Sequence, residues 1–184
     1  MDTNRRWERR EFLAGASGLA ALALFGTTCG GQEDPHQPAR RVVTGVNSSG
    51  KSVITSDGPV PEAAMFPSDG QANGCDLWLE KAVPVNLLDQ KDPMDDYSVE
   101  AWPPPGGVLV RILTWEPGFS YPMHRSDTID FVFVISGKLE LILEDGSTVL
   151  ESGDCIVQRG TNHAWRVVGN EPCTFAGVLL SANS

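Results

Sequence analysis

The 184-residue sequence has little of several residue types on which familiar protein classes depend. It contains four cysteines and three histidines, and its 14 basic residues are outnumbered by 24 acidic ones. That excess of negative charge makes nucleic acid and anionic lipid poor partners. The sequence also has no glycine-rich nucleotide-binding loop, acyl-transfer elbow or zinc-type cysteine cluster. The composition therefore argues against these classes of protein. The sequence also lacks any of these catalytic motifs that would identify a reaction.

Cysteine is too scarce to provide a disulfide framework. Beyond the N-terminal segment only Cys75, Cys155 and Cys173 remain. An odd number allows at most one bridge among them. We therefore expect buried thiols that pack as small apolar residues. A domain of about 150 residues buries roughly 70% of the surface that its unfolded chain exposes, so it folds without cross-links.

No apolar run in the sequence is long enough to span a membrane as a helix. The longest, from Phe12 to Phe25, has about fourteen residues where a spanning helix needs roughly 20. It follows an arginine-rich start and precedes small residues, which is the pattern of an export signal. We therefore expect residues 1–30 to be removed or anchored during export.

The details of this leader point to a particular route. Arg9 and Arg10 precede Phe12 and Leu13, an arrangement that resembles the twin-arginine translocation motif. Cys29, just after the apolar run, is a candidate for lipid attachment, and simple cleavage is the alternative. We expect a periplasmic or outer-surface protein, with residues 31–40 as a polar tether.

Residues 41–184 have the pattern of an all-β domain, since no helical period occurs in them. Short runs rich in β-branched and aromatic residues, such as "LWLEK", "GVLVRILTWE", "FVFVIS" and "KLELILE", alternate with turn signals. This spacing favours a sandwich or barrel. Residues 56–106 are rich in Pro, Asp and Gly, and we expect them to form long loops over the barrel, in part a lid.

Two stretches carry a resemblance to a known family. Gly118, His124, Ser126, Asp130 and Gly137 keep every interval of the first conserved motif of the cupin family. Ser126 replaces that motif's second histidine, and Asp130 replaces its glutamate. "GDCIVQRGTNHAWRV" resembles the second motif, with His163 at the expected place. Gln158 and Val167 stand there for the usual proline and asparagine.

The resemblance covers residues 106–181 and implies a single jelly-roll β-barrel of the small, type-2 cupin subgroup. It also implies that Asp130 points into the barrel and converges there with His124 and His163. Two imidazoles and one carboxylate are a ligand set for divalent iron, manganese, zinc or nickel. The leading expectation is therefore an enzyme that binds a divalent metal through these three residues and acts on a small organic molecule.

Two other functions fit the same residues. Without a metal, His163 or His124 forms an acid and base pair with Asp130, suited to isomerisation, dehydration or cyclisation, and Ser126 and Trp165 bind the substrate. Alternatively, the pocket captures a small ligand without turnover. A last interpretation is purely structural: the polar groups bond only to one another in a filled barrel.

Strand alternation also predicts the outer surface. With Asp130 inside, Phe131, Phe133 and Ile135 fall on the outer face of their strand. That apolar face needs cover from the N-terminal segment or from a second subunit, and a homodimer is the favoured arrangement. Arg125 and Arg166 alternate away from the pocket and are expected in surface ion pairs, while Gln158 is expected to support the loop before His163.

Overall fold

The computed structural model describes residues 38–183, so the predicted export signal and most of the tether lie outside the described range. Within it the chain forms eleven strands and one turn of 3-10 helix. The strands are β1 (Arg40–Val46), β2 (Ser52–Pro59), β3 (Ala72–Glu80), β4 (Val108–Trp115), β5 (Ser120–His124), β6 (Thr128–Ser136), β7 (Lys138–Leu143), β8 (Gly146–Glu151), β9 (Cys155–Arg159), β10 (His163–Val167) and β11 (Cys173–Ser181); the 3-10 turn is Glu62–Ala64.

Two antiparallel sheets build the body of the domain. One has the strand order β3-β4-β11-β6-β9, and the other has the order β5-β10-β7-β8. Side chains of both sheets meet in one apolar cluster that includes Trp115, Val132, Leu141, Trp165 and Phe175. β1 and β2 pair in a separate hairpin. The predicted all-β jelly-roll fold is confirmed.

Strand β6 shows how the sequence pattern sets the two faces of a sheet. Asp130, Val132 and Val134 are buried, at 6%, 7% and 3% exposure. Phe133 and Ile135, between and after them, are 45% and 49% exposed. The predicted alternation is therefore confirmed, because successive side chains of a strand point to opposite faces.

The tight connection from β6 to β7 depends on Gly137. Its φ of +76° lies in the left-handed region, where side chains other than glycine are strained. A Cβ atom here would also lie 2.3 Å from the carbonyl oxygen of Pro172. Both the backbone angle and the close approach thus require glycine at the end of the strand that carries Asp130.

Residues 56–106 differ from the predicted set of loops. Ala72–Glu80 is a nine-residue strand in the five-stranded sheet, with Cys75, Asp76 and Leu79 buried. The sequence predicted a strand here only for the run "LWLEK", but the strand begins earlier, at Ala72. The polar start "ANGCD" obscured it, because the buried side of this strand includes a charge. The remainder, after Glu80, contains no further strand before Val108.

The three cysteines of the described residues are free but differ in exposure. Cys75 and Cys173 are free and buried, as predicted, whereas Cys155 is free and exposed, so its predicted burial was wrong. Cys155 starts β9 with its side chain on the outer face of the sheet.

Among residues 38–183, no helix has the length and apolar character needed to cross a membrane.

Candidate active site between the two sheets

A cavity of about 290 Å³ lies between the sheets. Its walls are mainly aromatic and aliphatic, and a few polar side chains interrupt them. Four of the residues singled out from the sequence, His124, Asp130, His163 and Trp165, line this one cavity. An apolar pocket with a few converging polar groups is the usual form of a small-molecule site.

The two histidines face each other across neighbouring strands. His163 on β10 pairs directly with His124 on β5, and their ring centroids are 4.1 Å apart. His124 Nδ1 lies 2.9 Å from the carbonyl oxygen of Pro122, and His163 Nδ1 lies 2.8 Å from that of Thr161. Because a carbonyl oxygen can only accept, we assign the proton of each ring to Nδ1. For His163 the shorter contact, 2.8 Å to the Thr161 carbonyl, decides this assignment over the Gln158 Nε2 donor, which lies 3.1 Å from the same nitrogen. Nε2 of each ring is then the nitrogen available to a ligand.

Gln158 holds the loop on which His163 depends. Its side chain is 2% exposed, and its Nε2 donates to the Thr161 carbonyl at 3.0 Å and contacts the Thr161 hydroxyl. The same carbonyl accepts from His163, so Gln158 fixes the orientation of the imidazole through a shared partner. This is the supporting role that the sequence predicted for it.

Burial favours the neutral form of His163. Its side chain is 2% exposed, and this desolvation lowers the pKa of the imidazole below its usual value. The bond to Thr161 opposes the shift, and the neighbouring charge of His124 adds to it. A buried neutral imidazole with a free Nε2 can accept a proton from a bound molecule.

Asp130 is buried without a full set of partners. It is 6% exposed, and its Oδ1 has no hydrogen-bond partner among the described residues. Desolvation raises the pKa of this carboxyl, while the Thr128 hydroxyl and the charges of Arg111 and His124 oppose that shift. Burial therefore favours the protonated form of this carboxyl, which is the form that can donate a proton.

A three-ligand metal centre does not form from these side chains. Nowhere in residues 38–183 do three or more His, Cys, Asp and Glu side chains come together in a way that could hold a metal ion. His124 and His163 converge, but Asp130 does not complete a ligand group with them. The residues present therefore do not fit a metal bound by all three, and Oδ1 of Asp130 is left for another partner.

The two predicted substrate-binding residues lie in different places. Trp165 lines the cavity and is edge-on to the His163 ring, with centroids 5.4 Å apart. Ser126 is buried, its hydroxyl is 2.7 Å from that of Thr128, and it lines a separate open groove. Trp102 borders both spaces and stacks over His124 with centroids 6.1 Å apart. Trp102 therefore forms part of the cavity mouth.

One charged residue of the cavity wall was missed by the sequence analysis. Arg111 on β4 lines the cavity, and its Nε donates to Oδ1 of Asp76 at 3.0 Å. Asp76 is completely buried and also accepts from the Tyr97 hydroxyl at 2.6 Å. The signal was available, because Arg111 has the same strand parity as the buried Leu109 and Trp115.

Comparisons with known proteins agree with this architecture. A family model described as a cupin domain matches residues 111–180. "Phomopsin biosynthesis cluster protein C'" of Diaporthe leptostromiformis is 36% identical over 132 residues, which are 68% of this chain and 69% of the relative. "Cupin-domain-containing oxidoreductase srdD" of Neurospora crassa is 34% identical over 137 residues, 71% and 67% of the two chains.

The similarity to solved structures is at lower sequence identity. The cupin domain of Schizosaccharomyces pombe Cnp3 is 10% identical, with a TM-score of 0.47. That likeness covers 77% of this chain and 87% of the other.

Proposed function

Because the chain belongs to the family of cupin-domain proteins, we propose that it is an enzyme that moves a proton on a small organic molecule. The cavity between the sheets binds the substrate, His163 is the base and Asp130 is the acid. The observation that carries the proposal is the bond from His163 Nδ1 to the Thr161 carbonyl, which leaves a neutral Nε2 at a cavity that also contains Asp130.

The environments of the two groups support opposite roles. Burial favours the neutral form of both, which is the proton-accepting form of His163 and the proton-donating form of Asp130. Two titratable groups that are neutral together can pass a proton across a substrate without separating charge in the resting site. This arrangement favours isomerisation, dehydration or cyclisation.

The step itself balances without a further reactant. His163 Nε2 takes a proton from a carbon of the substrate, and Asp130 donates its proton to a second atom of the same molecule. The double bond or leaving group shifts between these positions. The product carries the proton of Asp130, and the proton on His163 returns to the carboxylate through solvent. Names of relatives that refer to biosynthesis clusters are consistent with a small organic substrate.

Hydrogen–deuterium exchange tests this function before the substrate is known. The full chain in D2O with a chelator is incubated with a panel of small ketones, esters, alkenes and hydroxy acids, and NMR records deuterium entering carbon positions. We expect exchange with the wild-type protein that is lost in His163→Ala and Asp130→Asn. General acid and base groups typically contribute about 10²–10⁴-fold to rate, which sets the expected loss.

The chain offers a matched control for the histidine change. His36 is the third histidine of the sequence and lies in the predicted tether, outside the described residues. His36→Ala should exchange at the wild-type rate. Exchange that persists in His163→Ala contradicts the proposed function. So does the absence of exchange with the wild-type protein and every variant.

A second candidate is a metal-dependent reaction. The observation in its favour is the pair of imidazoles with centroids 4.1 Å apart, each held through Nδ1 by a carbonyl, as is common for metal-binding histidines. The oxidoreductase names of several relatives point the same way. Elemental analysis decides between the candidates, since stoichiometric metal lost in both His124→Ala and His163→Ala would favour the second.

We also propose that the protein is exported. The proposal rests on residues 1–30, in which Arg9 and Arg10 resemble the twin-arginine motif. In a bacterium with that pathway, changing both to Lys should retain the protein in the cytoplasm. Arg5 and Arg6, an equal pair in the same leader, provide the control substitution. Mass spectrometry of the exported chain then shows whether Cys29 carries lipid.

We propose further that the outer face of β6 pairs with a second copy of the chain. Phe133, Ile135 and Val157 on β6 and β9 are 45%, 49% and 49% exposed. In light scattering after gel filtration, the wild-type chain should be a dimer and Phe133→Lys a monomer. Val149→Lys, at 46% exposure on the other sheet, should stay a dimer. A monomeric wild-type chain would contradict pairing.

A further inference from the structure

Arg111 is an unusual residue for its place in the sheet. It lies between Leu109 and Leu113 on the inward face of β4, and its side chain is 14% exposed. It lines the cavity together with Asp130 and both histidines. A buried cation is costly unless its donors are matched, so the partners of its guanidinium show how much of it is already in use.

Only some of the N–H donors of the Arg111 guanidinium have partners among the described residues. Nε donates to Asp76 at 3.0 Å, and Nη2 donates to the Glu100 carbonyl at 2.9 Å. Its Cζ lies over the ring of Phe66, 5.1 Å from the ring centroid. An arginine has five N–H donors, and these contacts use Nε and one on Nη2. The second donor of Nη2 and the two donors of Nη1 have no partner among the described residues and remain for a ligand.

The partner of Arg111 is itself buried and hydrogen-bonded on both carboxylate oxygens. Asp76 is completely buried, and its Oδ2 accepts from the Tyr97 hydroxyl at 2.6 Å. That hydroxyl in turn accepts from the backbone N–H of Glu100 at 3.1 Å. These hydrogen bonds hold the Asp76 carboxylate in place and thereby orient the guanidinium of Arg111.

Gly177 opens the space beside Arg111. It is the direct cross-strand partner of Arg111 on β11 and pairs with Val132 on its other side. A Cβ atom at Gly177 would lie 3.7 Å from Cγ of Arg111 and 3.3 Å from Cδ1 of Leu179. The missing side chain leaves the floor of the cavity bare between Arg111 and Val132.

Sheet geometry sets the distance from this point to the proposed acid. Arg111 and Asp130 are two strands apart and offset by two residues along the strand. With strands about 4.8 Å apart and about 3.3 Å per residue, their Cα atoms are roughly 12 Å apart. A small molecule with a few carbon atoms fits between side chains that reach inward from these two positions.

We propose that Arg111 binds the carbonyl oxygen of the substrate, so that the substrate is a carbonyl compound that loses a proton next to that group. The inference rests on the proposed function. Removing that proton places negative charge on the oxygen, and a fixed donor in a dry site stabilises such a charge strongly. Stability alone is a weak reason for the residue, because apolar groups often replace a buried ion pair without loss.

Binding of 4-nitrophenol to the full chain tests the inference. Its ionised oxygen is a stable analogue of the enolate oxygen, and its ring suits the aromatic walls. Arg111→Met alone would leave Asp76 buried and unpaired, so the informative comparison is Asp76→Asn against Asp76→Asn with Arg111→Met. Loss of a charged hydrogen bond should weaken binding by about 10-fold to 100-fold in the double variant.

Absorbance of the bound phenolate gives a second signal that a purely structural role would not change. At one fixed pH the ionised fraction of bound 4-nitrophenol should fall in the double variant and stay unchanged in Arg166→Met, a surface arginine paired with Glu140. Equal affinity and ionisation with and without Arg111, or no binding to the wild-type chain, would overturn the inference. Arg111-dependent binding without deuterium exchange would support this oxygen site and count against the proton-transfer function.

Discussion

Replacing Asp130 by Asn should make the protein more stable at neutral pH while removing its activity. The carboxyl is 6% exposed, and its Oδ1 lacks a hydrogen-bond partner among the described residues. An unsatisfied buried polar group costs about 1–3 kcal/mol, and more when it is charged. Asn keeps the shape and has neither a charge to bury nor a proton to take up on folding. We therefore expect Asp130→Asn to raise the free energy of unfolding by about 1 kcal/mol or more, since only the neutral part of that cost remains.

The sign of the pH dependence follows from the raised pKa of Asp130. The folded chain binds this proton more tightly than the unfolded chain, so stability is lost as the pH rises from the usual Asp value towards the raised one. The advantage of Asp130→Asn should thus be present at neutral pH and disappear below about pH 4, where Asp is protonated in both states.

Urea unfolding of both proteins across this pH range measures the effect. A gain of 1 kcal/mol corresponds to about 2–4 °C in melting temperature for a chain of this size, so calorimetry provides a second reading. Asp127→Asn is the matched control, because that side chain is 66% exposed and close in sequence. An Asn variant that is less stable than wild type at neutral pH, or whose gain does not shrink on acidification, would refute the reasoning.

Three further substitutions probe the packing and the cavity mouth. Leu139→Ala empties a fully buried position and should lower the free energy of unfolding by about 2–5 kcal/mol in urea titrations. Gly137→Ala should destabilise the fold more than Gly118→Ala does: both have φ near +80°, but only the first brings Cβ within 2.3 Å of the Pro172 oxygen. Trp102→Ala should weaken 4-nitrophenol binding in calorimetry and change unfolding by less than about 0.5 kcal/mol, because Trp102 is 41% exposed and borders the cavity.

The fold was predictable because its signals are local and repeated. On β6, a period of two placed Asp130 and Val132 inside and Phe133 outside, and the burial of these residues agrees. The strand Ala72–Glu80 was obscured for a physical reason. Its Gly74 and Asp76 are poor strand formers on propensity alone, and only the pairing with β4 and the ion pair with Arg111 make them stable there.

The candidate site was predictable only where side chains follow a motif. His124 and His163 were found because their spacing matched the family pattern, and the cavity contains both. Arg111 was missed because a single charged residue in an apolar strand is normally assumed to face outward. Its spacing of an even number of residues from Leu109 and Trp115 places it on their inward face. Nothing in the sequence shows that Asp76, 35 positions earlier, provides its partner.

Strand register is the condition on which the acid and the base depend together. Asp130 on β6 pairs with Gln158 on β9, and the Gln158 side chain reaches the Thr161 carbonyl that orients His163. One row of the five-stranded sheet therefore positions the carboxyl and, through the following loop, the imidazole of the other sheet. A slip of β6 by one residue would turn Asp130 to the outer face, since side chains alternate. The close approach at Gly137 opposes such a slip, so the turn that ends β6 also protects the chemistry of the cavity.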